Sequence, residues 1–208
     1  YLISSKRLAI YNQQNGQIQY KEIPFNYSRL NCILSLGKDT IGIGTSNGII
    51  LFFAQNNQFR NVEMHFNVMR IFEDSHNELW LFSKEQRGIV RYDPLTNEQQ
   101  HYETPTQNMP KAELRSRDVI FEDNQGTLWV VPHLGCLSYY DREDKELKPY
   151  YTDYSKPESK FTPVILNFYV DNQKNFWYAN NFWMDKISFF PNASQLTTFD
   201  SGHETRAI

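Results

Sequence analysis

Hydrophobic and aromatic positions fall in short runs of about four to six residues, with polar neighbours on either side. Inside the runs they alternate, as at Leu79 and Leu81 or Trp129 and Val131. A period of two places successive side chains on opposite faces of an extended chain, so the runs predict β-strands. Between them lie Asp-Asn-Gln-Gly, Asn-Gly, Asp-Pro and Pro-Asn, residues that shape tight turns. No stretch carries a sustained 3.6-residue period with caps, so the prediction is an all-β chain.

The strands repeat. With Trp80, Trp129 and Trp177 superposed, at spacings of 49 and 48 residues, IFEDSHNELWLF, IFEDNQGTLWVV and YVDNQKNFWYA align. ILSLGKDTIGIG (33–44) is a weaker copy in which Gly42 takes the tryptophan position. GIILFF (48–53), GIVRYD (88–93), CLSYYD (136–141) and KISFFP (186–191) form a third strand position. EQQHYET, ELKPYYT and QLTTFD form a fourth. Four short strands, A to D, in units of about 40–50 residues are the pattern of a β-propeller with one sheet per blade. The expected fold is therefore a β-propeller or propeller arc of about five four-stranded blades. The expected divisions are a partial blade 1 (1–27), blades at 28–66, 67–113, 114–161 and 162–202, and a strand A of a next or closing blade at 203–208. RLAIYN (7–12) aligns with strand C, so blade 1 lacks its strand A, while ETRAI (204–208) resembles the entry into one. Either the last residues close a ring of five, or the chain is an arc of a longer array. The second is favoured, because an array divided at arbitrary points leaves such half-units.

The repeated residues read as frame. Asp74, Asp123 and Asp171 stand where an Asp side chain shapes the A–B turn by accepting backbone N–H groups, with Gly126 supplying positive φ and Asn77 tolerating it. They lack the ligand spacing of a calcium loop, and no metal site is expected. Trp80, Trp129 and Trp177 recur with the blade period, as expected of rings packed between sheets. Glu73 and Asp74 are adjacent and point to opposite faces, so they do not converge on one bond.

Candidate recognition residues lie where the repeats disagree, in the B–C and D–A loops that share one end of a propeller. The B–C loops are SKEQR (83–87), PHLG (132–135) and NNFWMD (180–185). Phe182 and Trp183 beside Asn181 suit a sugar, whose apolar faces stack on rings and whose hydroxyls bond amides. Packing of the same rings between blades or against a partner is the competing reading. Arg87, Arg117 and His133 complete the candidate ligand-binding set, the alternatives being solvated loop cations and a satisfied loop histidine. No catalytic residue is expected: the chain has no hydrolase elbow, phosphate loop or zinc-spaced histidine pair. No cofactor is expected either.

Composition narrows the partners. Among 208 residues, 40% are hydrophobic and 15% aromatic, enough apolar surface for a packed core. A net charge of -3 gives no footprint for nucleic acid, and no apolar run reaches the roughly 20 residues of a spanning helix. Cys32 and Cys136 show no metal spacing and read as two buried thiols, with a disulfide as the alternative. The chain opens on Tyr1 with no basic or apolar leader, which fits an excised segment or a mature form.

Ile71–Trp80 with Gly88–Asp93, and Ile120–Trp129 with Cys136–Asp141, resemble the two-component regulator propeller repeat. Residues 166–190 and the IGIGTSNGII stretch of 30–53 match it more loosely. The resemblance implies a periplasmic sensor region of a membrane-bound hybrid histidine kinase. It further implies a non-enzymatic segment that recognises an oligosaccharide or glycan fragment and passes the signal on. Its partners would be a carbohydrate, the remaining repeats and signalling domains of the same polypeptide, and a second copy paired through exposed blade edges. A propeller enzyme of the carbohydrate lyase or hydrolase type, and a protein-interaction scaffold, are the alternatives.

Overall fold

The computed structural model describes residues 1–4, 6–37, 39–83, 85, 88–103, 119–131, 137–150, 167–179, 183–190 and 193–200. The side chains of 4, 167, 183, 185, 187–190 and 193–200 lie outside that description. Every described element is a β-strand, and the sheets are antiparallel, of the β-propeller type. The chain divides into two compact units, 1–73 with 79–86, and 74–78 with 87–208.

In the first unit, β1 (Leu2–Ser4), β2 (Arg7–Tyr11) and β3 (Ile18–Glu22) form a three-stranded sheet in that order. Among the described residues this sheet has three strands, and the position where the repeat lacks a strand A is the one not filled. β4 (Leu30–Leu36), β5 (Thr40–Thr45), β6 (Gly48–Phe53) and β7 (Gln58–Glu63) form a complete second sheet. Period-two burial joins the two: Ile3, Leu8 and Ile10 pack on Ile41, Ile43, Ile50 and Phe52. β8 (Arg70–Glu73) pairs with β9 (Leu79–Phe82), setting Phe72 opposite Trp80, which is fully buried. At Gly42, the tryptophan position of the second sheet, a side chain would meet Leu36 and Ile71 at 3.0 and 3.4 Å. Aliphatic side chains therefore fill the space a ring takes elsewhere. Cys32 is a half-buried free thiol. Burial pushes its pKa up, against hydrogen bonds from the Gly44 and Ile71 backbone.

In the second unit, β10 (Ile89–Tyr92) pairs with β11 (Gln99–Tyr102), and the third sheet runs β11-β10-β9-β8. β12 (Val119–Glu122), β13 (Leu128–Val131), β14 (Ser138–Asp141) and β15 (Glu146–Pro149) form the fourth. β16 (Asn167–Val170), β17 (Phe176–Ala179), β18 (Trp183–Phe190) and β19 (Ala193–Asp200) form the fifth. Val119, Phe121, Trp129 and Val131 of the fourth sheet pack on Phe176 and Tyr178 of the fifth, with Phe168 and Val170 at the margin. Phe121 stacks on Phe176 with centroids 4.8 Å apart.

Two turn types recur. In the A–B turn, Asn77, Gly126 and Lys174 all take positive φ, at 61°, 80° and 62°. In the C–D hairpins, Gly16, Asn57, Asn97 and Lys145 do the same. Asp93 and Asp141 each turn Oδ1 onto two following backbone N–H groups, and Asn12 onto that of Gln14. The left-handed region is costly for residues with a Cβ, so at Lys145 and Lys174 the turn overrides intrinsic preference.

Candidate functional site

The repeat aspartates are occupied in a common way. Asp123 Oδ1 accepts the backbone N–H of Gln125 and Thr127 at 2.8 and 3.0 Å, and Oδ2 accepts the Trp129 indole N–H at 2.8 Å. Asp171 repeats this with Gln173, Asn175 and Trp177, the indole bond being 2.9 Å. One carboxylate thus closes the turn and fixes the ring six residues on. Burial works to raise the Asp171 pKa, but the Trp177 indole, the Asn175 side chain and the two backbone donors outweigh it and hold it at about 2. Asp74 closes its turn through His76 and Glu78, and its Oδ2 takes a 2.7 Å ion pair from Arg142.

The glutamate preceding the aspartate reaches back to the sheet before. Glu73 Oε2 accepts the Gly37 N–H at 3.1 Å, and Glu122 accepts both the N–H and the hydroxyl of Ser75, at 2.9 and 2.7 Å. Gly37 and Ser75 occupy the same A–B turn position in the alignment, so this latch is periodic. In the fifth repeat Val170 stands there, and it packs against the apolar cluster instead.

Arg142 also pairs with Glu78 at 2.7 Å, and Glu78 with Arg91 at 3.0 Å. Burial opposes the charge on Arg142, but Asp74 and Glu78 outweigh it and raise its pKa. The Tyr102 and Tyr140 hydroxyls meet at 3.0 Å, and burial together with that neighbour pushes Tyr102 upward. Asp74, Glu78 and Arg142 of this network belong to A–B and C–D turns. A cleft lined by Arg91, Asp93, Glu98, Gln99 and Gln100 holds about 190 Å³. That is below the roughly 300 Å³ at which ligand pockets begin.

At the B–C and D–A end, described residues of the first unit form a polar rim. Asn31 is the extra residue of a β-bulge between Leu30 and Cys32. Its amide donates to Asn67 Oδ1 at 2.6 Å and to the Val68 carbonyl at 2.9 Å. Asn67 N–H donates to Glu85 Oε2 at 3.0 Å, joining a D–A loop to a B–C loop. Ser46 accepts from Ser28 N–H and donates to Asn47 Oδ1. Asn31 Oδ1 is buried and accepts no hydrogen bond from the described residues. Bulges re-aim side chains next to sites, and this one sets an amide into a fixed polar arrangement. Sequence reasoning passed over Asn31 and Asn67, because neither stands at a position the repeat marks.

Of the loop candidates, Arg87, Arg117, His133, Asn181 and Phe182 lie outside the described residues. Trp183 does not sit in a loop: it is the first residue of β18, opposite Asp200. Asp185 is likewise in strand, opposite Tyr178. The repeat alignment would set Phe189 opposite Trp177, as Tyr139 is opposite Trp129, yet Lys186 is found there. β17 ends at Ala179 and β18 begins at Trp183, and their register differs by three residues from the repeat alignment. β18 pairs with β19 along its whole eight-residue length. Lys186 Nζ now sits 5.1 Å from the Trp177 ring centroid, a cation–π contact. Among the described residues no group of three His, Cys, Asp or Glu side chains is placed to hold a metal. Nor is any helix there long and apolar enough to cross a membrane.

No family model matches the chain, and no curated protein matches it by sequence. Solved structures do share its fold. Virginiamycin B lyase from Staphylococcus aureus is similar at TM-score 0.66 and 13% identity, over 94% of this chain and 63% of the lyase. The extracellular domain of a protein assigned as a hybrid two-component system from B. thetaiotaomicron is similar at TM-score 0.62 and 16% identity, over 97% of this chain and 27% of that one. An auxiliary nutrient binding protein from Bacteroides ovatus is similar at TM-score 0.54 and 14% identity, over 92% of this chain and 51% of that one. Of these three structures the chain therefore spans 63%, 27% and 51% of the length. At these identities the likeness is one of fold.

Proposed function

We propose that this chain is a non-enzymatic segment of an extracytoplasmic sensor in a two-component signalling protein of the regulator-propeller repeat family. In this reading it recognises an oligosaccharide or glycan fragment in the periplasm and passes the event to a histidine kinase domain of the same polypeptide. The observation that carries it is the division between frame and loops. Glu73, Asp74, Glu122, Asp123 and Asp171 are engaged by turns, indoles, a neighbouring sheet or an arginine. Such groups hold architecture and are not poised for proton transfer. At the other end of the first unit, away from the repeated turns, the Asn31–Asn67–Glu85 rim offers the amide and carboxylate chemistry that bonds hydroxyls. The fold shared with a two-component extracellular domain over 97% of the chain and with a nutrient binding protein is consistent with this role.

The fold shared with virginiamycin B lyase supports a second reading, a propeller enzyme. Calorimetric titration of the protein with a panel of glycan fragments separates the two. Saturable heat with one sugar class and unchanged ligand recovered afterwards supports the sensor. Cleaved or eliminated products contradict it.

A further inference from the structure

The polar rim of the first unit is held from beneath. At Gly44 a Cβ would meet Cys32 Sγ at 2.5 Å and the Val68 carbonyl at 2.7 Å, so the close approach of the D–A segment needs glycine there. That approach lets the Val68 N–H donate to the Thr45 carbonyl at 2.9 Å. The Asn31 bulge supplies a second tie, because both hydrogens of its amide are engaged, by Asn67 Oδ1 and the Val68 carbonyl. Glu85 is fixed in the same manner. Its N–H donates to Oγ of buried Ser83 at 3.0 Å, and its Oε2 accepts the Asn67 N–H at 3.0 Å.

These ties engage one oxygen of Asn67 and one of Glu85. The other polar atom of each side chain, Asn67 Nδ2 and Glu85 Oε1, has no hydrogen-bond partner among the described residues. Glu85 is exposed and Asn67 half-buried, and Asn67 Nδ2 is not among the buried polar atoms that lack a partner. An amide N–H₂ only donates and a carboxylate oxygen only accepts. A donor and an acceptor on two residues tied to each other match two neighbouring hydroxyls, one accepting from the amide and one donating to the carboxylate. A phosphate or carboxylate group would satisfy the amide and be repelled by Glu85, and an ammonium group would satisfy Glu85 alone.

We propose that Asn67 and Glu85 are a specificity-determining pair that takes two neighbouring free hydroxyls of a sugar, with Asn31 as the positioning residue behind it. This assignment rests on the sensor reading above and names the atoms that read the sugar. A side chain whose other atoms are already tied down loses little freedom on binding, which is what the bulge and Gly44 provide. A sugar that lacks either hydroxyl leaves one member of the pair without its partner.

The test titrates neutral disaccharides and trisaccharides into the 208-residue chain by calorimetry, then the monodeoxy analogues of the tightest binder. Glu85→Gln keeps an oxygen for the Asn67 N–H and sets an N–H₂ in place of the free acceptor. It is expected to weaken the tightest binder about tenfold or more, as for loss of a hydrogen bond to a charged group. One monodeoxy analogue should lose as much on the unaltered protein, and the two losses should not add, since each removes one end of the same bond. A second measurement needs no variant: the Asn67 side-chain N–H₂ resonances should shift on saturation with the same sugar. Sugar binding that leaves those resonances in place and is indifferent to Glu85→Gln overturns the pair while the sensor reading stands. Losses that add show Glu85 acting through the fold and overturn the pair equally. No binding heat from any of the sugars overturns the sensor reading, and the pair with it.

Discussion

The indole N–H of Trp129 donates to Asp123 Oδ2 at 2.8 Å, while Oδ1 of the same carboxylate holds the turn between them. Asp123 is 7% exposed and Trp129 5%, so neither group has water to fall back on. Asp123→Ala leaves an indole and two backbone donors without their acceptor, and a loss of about 2–4 kcal/mol is expected. Asp123→Asn keeps the Oδ1 acceptor but turns an amide N–H₂ towards the indole, and should cost about 1–3 kcal/mol. Urea midpoints followed by tryptophan fluorescence check both, and equal midpoints for the three proteins would remove the clamp from the account.

Two glycines should respond differently to the same substitution. Gly88 has φ of 95°, and a Cβ there would run into the Tyr102 carbonyl. Gly126 has φ of 80°, but the nearest atom to a Cβ is 3.8 Å away. Gly126→Ala should therefore cost about 1–2 kcal/mol for the left-handed backbone alone. Gly88→Ala adds a clash with fixed backbone and should cost about 3 kcal/mol or more. The order of the two thermal midpoints is the measurement.

Acid should weaken the fold through the turn carboxylates. Asp171 is held at about 2 in the folded chain, against about 3.9 for an unfolded aspartate. A depressed folded pKa stabilises the native state above the unfolded value, and the contribution is lost as pH falls from about 4 to about 2. Asp141 is also lowered, by Lys148 first and then by its turn donors, and Asp93 by the Leu95 N–H first. Stability is expected to drop steeply across that window, and Asp171→Asn should flatten the slope. Tm measured from pH 5 to pH 2 checks it.

The frame was legible because it repeats. Three tryptophans at nearly constant spacing gave the blade period, and the turn residues between them gave the strand boundaries. The latch from Glu122 to Ser75 was not legible, since it joins residues 47 apart and shows only once two sheets are side by side. Lys174 in the left-handed region could not be read from residue type, because position in the turn decides it there. The loop assignment of Trp183 and Asp185 failed for a related reason. The repeat alignment assumes a constant hairpin register, and the pairing of Trp177 with Lys186 departs from it. The Asn31 bulge lies at a position with no repeated marker at all.

The central claim is that the repeated segments build the frame while recognition belongs to the end where the repeats diverge. The most direct test is parallel calorimetry and thermal unfolding of two variants, Trp183→Ala and Asp123→Asn, with the sugar class that binds the unaltered protein. Trp183→Ala is expected to abolish the binding heat while the protein stays folded, and Asp123→Asn to lower Tm while the folded protein binds as before. Full binding by Trp183→Ala together with loss of binding by folded Asp123→Asn would contradict that claim.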